Sequence, residues 1–196
     1  MPPRARTAAA ILLALAVPAL AGAAAGCGND PTPAPNVTAP RAASGWKTIR
    51  GGEPQVTVSA PRNWPVQLGP EPSIASFGSG RALVAVWRYP RSEPAPRTAD
   101  ELRDAEQALV EAARRRDTTF SERSVRTTKV GGVPAIVVLG DGTIRDTRVR
   151  IRSTHVYHEG TELVVDAYAP PDDFDRLDRV TFPRIASSLR LAPPRE

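Results

Sequence analysis

Cys27 is the only cysteine in 196 residues. It stands in Ala24-Ala25-Gly26-Cys27, directly after an uncharged stretch that begins at Ala8, with Arg4 and Arg6 ahead of that stretch. A positive start, an apolar run and small residues before a cysteine are the parts of a lipoprotein signal, in which the thiol is diacylated and the cysteine becomes the new N-terminus. Leucine is more usual where Ala24 stands. An ordinary secretion signal and an uncleaved anchor are the competing readings, because about eighteen uncharged residues just suffice to span a bilayer. A single acyl chain binds a membrane marginally, whereas the two or three of a mature lipoprotein hold it durably.

Other reactive side chains are few. His155 and His158 are three apart, an offset that puts them on opposite faces of a strand, and they read as exposed strand-end side chains. A metal site would need both of them with Glu159 or Asp166. An enzyme would need one of them to converge with a carboxylate and a nucleophile. The chain has no Gly-x-Ser-x-Gly, and its glycine clusters Gly51-Gly52 and Gly78-Ser79-Gly80 neither precede a helix nor carry the lysine of a phosphate loop. The expectation is therefore no catalytic residue, no metal and no cofactor. Without a second cysteine no disulfide forms within the chain, so the folded part must be held by its own core.

The charge pattern suggests a surface instead. Arg148, Arg150 and Arg152 alternate with Val149, Ile151 and Ser153, so a strand here has one basic face, suited to an acidic protein patch or an anionic glycan. The alternative is a face flanked by a helix that sets carboxylates opposite, with the arginine stems lying between side chains. Arg114-Arg115-Arg116 closes a helical stretch, where cations complement the dipole; a lipid or phosphate contact is the other reading. Of 26 basic and 21 acidic residues two arginines fall in the signal, which leaves a net charge near +3. That is too little to argue for nucleic acid.

These features divide the chain into a signal peptide over 1–26, a proline-rich tether over 27–44 and one domain over 45–193. The tether carries Pro31, Pro33, Pro35 and Pro40 among alanine, threonine and asparagine, a composition that cannot bury enough apolar surface to fold. In the domain, Val56 and Val58 alternate with polar neighbours, and a turn follows at Pro61 to Pro65. Strands are expected near Ile74–Phe77 and Ala82–Tyr89, the second apolar on both faces and so central. Thr98 and Glu101 form a capping box before Leu102, Ala105, Leu109 and Ala112, which share one face of a helix ending near Arg116. Four strands follow, at 124–130, 134–140, 145–157 and 162–169, with hairpin turns expected at Gly131-Gly132, Asp141-Gly142 and Glu159-Gly160. A second helix is expected to be capped at Asp172 and Asp173, with Phe174, Leu177 and Ile185 inward and Pro183 interrupting it. Ser187 to Leu191 suits a last edge strand. The order of elements gives an α+β domain: helices covering a twisted, largely antiparallel sheet.

Several stretches carry a family resemblance. They are Trp46-Lys47, Val56 to Trp64, Gly132-Val133-Pro134-Ala135, Tyr157-His158-Glu159-Gly160 and Phe182 to Leu189. Together they resemble the Mog1/PsbP-like fold, and more particularly the small actinobacterial lipoproteins of the LpqN and LpqT kind. The resemblance implies a Trp64 that closes the core and a Gly132 in a hairpin. It also implies an accessory or adaptor role without conserved catalytic residues. The function expected is a membrane-tethered accessory or protein-interaction domain at the outer face of the envelope, bound to lipid through Cys27 and to an envelope protein or anionic glycan. A carrier of a small hydrophobic or glycan ligand is the alternative, which calls for a sizeable apolar cavity near Trp87, Phe120 and Tyr168.

Overall fold

The computed structural model describes residues 40–42, 44–158 and 160–192, within a compact unit that runs from Pro35 to Glu196. Cys27, the signal and most of the tether lie outside the described residues. The strands are β1 (Trp46–Gly51), β2 (Val56–Pro61), β3 (Val66–Leu68), β4 (Ser73–Ser79), β5 (Ala82–Pro90), β6 (Ser121–Val130), β7 (Val133–Ile144), β8 (Thr147–His158), β9 (Thr161–Ala169) and β10 (Arg190–Leu191). Helix α1 (Ala99–Arg116) lies between β5 and β6, and α2 (Pro171–Ser187) follows β9. Two sheets form rather than one: β1-β2-β10, and a seven-stranded β3-β4-β5-β9-β8-β7-β6. Every pair is antiparallel.

Alternation along the strands gives the large sheet two covered faces. On one, α2 packs against β8, β9 and β2, and Phe174, Leu177, Phe182 and Ile185 meet Val84, Val86, Val156, Leu163 and Val165 in the main core. Trp64 is fully buried there at 0% exposure and meets Phe77 at 6.3 Å between ring centroids, as the resemblance implies. On the other face α1 lies over β6 and β7, with Val110 against Ile136, Val138 and Tyr157 and with Leu102, Ala105, Leu109 and Phe120 around them. The central place of β5, next to β9, matches its two apolar faces. At α1 the capping box is complete: Thr98 Oγ1 accepts from the Glu101 N–H, and the Glu101 carboxylate accepts from the Thr98 N–H.

Three local expectations are corrected. The β7–β8 turn falls at Arg145-Asp146, both with positive φ (46° and 62°), and not at Asp141-Gly142. Gly142 sits inside β7, paired with Val149, where a Cβ would lie 2.7 Å from Asp117 Oδ2. Helix α2 runs unbroken through Pro183, since burial of Phe182 and Ile185 on either side outweighs the hydrogen bond that proline removes. Its N-cap is Pro170 without a side-chain bond, and Asp172 and Asp173 stand in the first turn, where they favour the dipole. Residues ahead of Gly45 also touch the domain. Arg41 C=O accepts from Trp64 Nε1 (2.9 Å) and Asn63 Nδ2 (3.0 Å), and Pro40 C=O accepts from Arg176 Nη2 (3.0 Å).

Candidate functional site

The alternating arginines of β8 lie on the α2 side, and α2 covers two of them. Arg152 is 6% exposed, with its guanidinium 2.9 Å from Asp178. Arg150 donates to Asp175 (2.6 Å) and Asp141 (3.3 Å) and lies over the Phe174 ring at 5.6 Å. Burial alone would raise the Asp141 carboxyl, but Arg123 and Arg150 outweigh it and hold that group below the usual carboxylate range. Only Arg148 remains exposed. The open basic stripe is thus corrected to the alternative arrangement, because α2 supplies carboxylates at Asp175 and Asp178 where the arginines rise.

The opposite face of the same strand holds a network that the sequence reading missed. Ser153 Oγ lies 2.5 Å from Asp166 Oδ1, to which it donates, and 2.8 Å from His155 Nε2; His155 Nδ1 lies 2.7 Å from Glu162 Oε1. Arg91 donates to Glu162 Oε2 at 3.1 Å, and its guanidinium stacks on the Tyr157 ring at 5.1 Å. His155 is therefore no exposed strand-end side chain. Strand alternation does separate it from His158, whose pKa is lowered by burial. Burial pushes the Glu162 carboxyl up, yet His155 and Arg91 together hold it below its ordinary value. The Tyr157 and Tyr168 phenols are pushed well up by burial.

A serine, a histidine and a carboxylate in line invite comparison with a hydrolytic triad, and the protons argue against it. A triad serine gives its hydrogen bond to the imidazole that will take the proton. Here the Ser153 hydroxyl points to Asp166, so His155 Nε2 must donate to Ser153 rather than accept. Ser153 is also buried. What the arrangement does is bind β8, β9 and the 91–97 segment together through charge-assisted hydrogen bonds.

Two hollows adjoin this network. A surface groove of about 600 Å³ runs between α1 and the proline-rich strap 91–97. Ala105, Ala108, Leu109 and Tyr157 line it together with Arg91 and Glu162, and the exposed Asp104, Glu93 and Arg115 border it. A second hollow of about 60 Å³ lies beneath α1, lined by Phe120, Ile151, Ser153 and His155 among others. The latter is the cavity at Phe120 called for by the carrier alternative, and it has room for water-sized guests only. Trp87 and Tyr168 do not line it; the Trp87 Nε1 donor is buried without a partner. Among the described residues no group of three or more His, Cys, Asp or Glu side chains could hold a metal ion.

The His155 network had a sequence signal. With Glu159-Gly160 as a two-residue turn, the register runs His158↔Thr161, Tyr157↔Glu162 and Ser153↔Asp166. Ser153 and Asp166 are then direct cross-strand neighbours, and His155 is diagonal to Glu162. Arg91 carried no such signal, because its place depends on β5 pairing with β9.

No known family model matches the sequence, and no curated protein matches it. Solved structures do. The domain is similar to the solution structure of cyanobacterial PsbP (CyanoP) from Synechocystis, at a TM-score of 0.59 and 11% identity over 76% of this chain and 94% of that one. It is also similar to the crystal structure of LpqN, described as involved in cell envelope biogenesis of Mycobacterium tuberculosis, at a TM-score of 0.50 and 10% identity over 76% and 91%. At such identities the likeness defines a fold: an α+β domain of PsbP-like architecture.

Proposed function

We propose that the chain is an envelope lipoprotein, anchored at Cys27 to the outer face of the membrane, whose domain is an accessory, protein-interaction module. The groove between α1 and the 91–97 strap carries the reading. It is open, its lining sets alanines, Leu109 and Tyr157 beside charged side chains, and it adjoins a network that holds its walls without offering a free nucleophile. The similarity to PsbP and LpqN supports it at the level of fold, and the lipoprotein signal supports the location. Among the described residues no helix is long and apolar enough to cross a membrane. The groove also lies within the size range of small-molecule sites, so an amphiphilic ligand is the second reading, now placed at the groove and not at Phe120.

Membrane fractionation tests the anchor. The parent chain is expected in the membrane pellet and Cys27→Ala in the soluble exported fraction; equal retention of both would remove the lipoprotein reading. For the groove, Ala108→Arg should weaken crosslinked retention of the envelope partner at least ten-fold with an unchanged melting temperature, and unaffected retention would place the partner elsewhere.

A further inference from the structure

Helix α2 sorts its charges by side. Asp178 is drawn inward to Arg152, Asp175 reaches Arg150 while its own side chain stays exposed, and Asp173 is taken by Arg176 (3.1 Å) and Arg81 (3.9 Å). Arg179 has no ion-pair partner among the described residues, and Arg184 lies over the half-buried Trp46 ring at 4.1 Å. Arg176, Val180 and Arg184 are four residues apart in turn, so with Arg179 they share the outer face. Val180, at 66%, is the most exposed large hydrophobic among the described residues. Asp172 is exposed too, one turn before Arg176 and two turns before Arg179 and Val180, at the start of the helix. Arginines around an exposed aliphatic side chain, with a tryptophan beside them, are the makings of a surface for the membrane interface.

The described chain begins at this face. Pro40, the first described residue, is held by Arg176 itself, and Arg41 by Trp64 and Asn63, so Pro40 lies beside α2. Thirteen steps separate Cys27 from Pro40, which caps their distance at about 45 Å. Helix α1 lacks the same imbalance, because Asp100–Arg103, Glu111–Arg115 and Arg114–Glu122 pair its outward charges.

We propose that the outer face of the C-terminal half of α2, formed by Arg176, Arg179, Val180 and Arg184, rests on anionic lipid headgroups. The inference rests on the Cys27 anchor proposed above: the acyl chains hold the protein, and this face sets its orientation. The 91–97 groove, built on the opposite side of the sheet, is then turned to the envelope space.

The test uses the chain from Cys27 onward, which keeps the compact unit whole, with Cys27→Ser so that no acyl group contributes. Co-sedimentation with phosphatidylglycerol vesicles at low salt should exceed that with phosphatidylcholine vesicles and should fall as salt rises. An arginine near an anionic surface contributes roughly five-fold, so Arg176→Ala, Arg179→Ala and Arg184→Ala together should lower the partition coefficient about 100-fold. Arg179→Ala alone, which breaks no contact of the fold, should lower it about five-fold with an unchanged melting temperature. Replacing Arg114, Arg115 and Arg116 with alanine should leave it within about two-fold. Equal binding to the two vesicles, an ineffective Arg179→Ala, or a loss that follows the α1 triplet would overturn the proposal; the last outcome would move the lipid contact to α1. Failure of the anchor itself shows separately, as retention of Cys27→Ala in the cell membrane after a high-salt wash, which releases a contact made by charge alone.

Discussion

The two faces of the seven-stranded sheet are covered in opposite ways. Beneath α2 the packing is dense and apolar, with six buried residues on the helix, and the charges that enter are closed as arginine–carboxylate pairs. Beneath α1 only Val110 is fully buried on the helix, and β8 and β9 present a hydrogen-bonded row of serine, histidine and carboxylates instead. The difference teaches how one strand can serve two purposes. In β8, arginines on one side fix a helix firmly, and the alternate residues on the other side hold a looser wall beside a groove. A helix held by a deep core is suited to orienting the domain, and one held at a few points is suited to meeting a partner.

The comparison is broken most severely from the α2 side. Phe182→Ala should cost about 4 kcal/mol, the usual cost of emptying a core phenylalanine site, whereas Val110→Ala should cost about half as much. Chemical denaturation of both variants measures the ratio, and equal costs would erase the asymmetry. Asp178→Ala, which leaves Arg152 buried with its charge unmatched, should cost about 3 kcal/mol. A change below about 1 kcal/mol in the same experiment would show that the Arg152 pair does not fasten α2.

The α1 side is sharpened by pH. The Glu162 carboxyl lies below its ordinary value in the fold, so its contribution is complete above the unfolded value, about 4.3, and is lost as pH falls through the lower folded value. Melting temperatures of the parent chain and Glu162→Gln should therefore differ most above the unfolded value and converge as pH falls through the lower folded one. Curves that stay parallel would mean that Glu162 does not draw stability from His155 and Arg91.

Much of the α1 region was legible because its signals are local. The Thr98–Glu101 box and the spacing of Leu102, Ala105, Leu109 and Ala112 mark the helix with no knowledge of what it packs on. The turns at Gly131-Gly132 and Gly160 show as glycines with positive φ. The β7–β8 turn was misplaced because Asp141-Gly142 has turn chemistry, although Gly142 pairs inside β7 and is closely approached by Asp117, a contact between distant parts of the chain. The fate of Arg150 and Arg152 was open for a similar reason. Alternation shows that they share a face, but only the docking of α2 decides whether water or carboxylates meet them. The pairing of Ser153 with Asp166 could be read from one hairpin, yet its tie to Arg91 needed the β5–β9 ladder.

The most direct measurement places the two faces relative to the membrane. Val180→Cys and Asp104→Cys, each labelled with a small fluorophore on the lipidated protein reconstituted in phosphatidylglycerol vesicles, would be exposed to lipid carrying a nitroxide at the headgroup. The account predicts strong quenching at position 180 on α2 and little at position 104 in the groove. Equal quenching, or stronger quenching at 104, would contradict it.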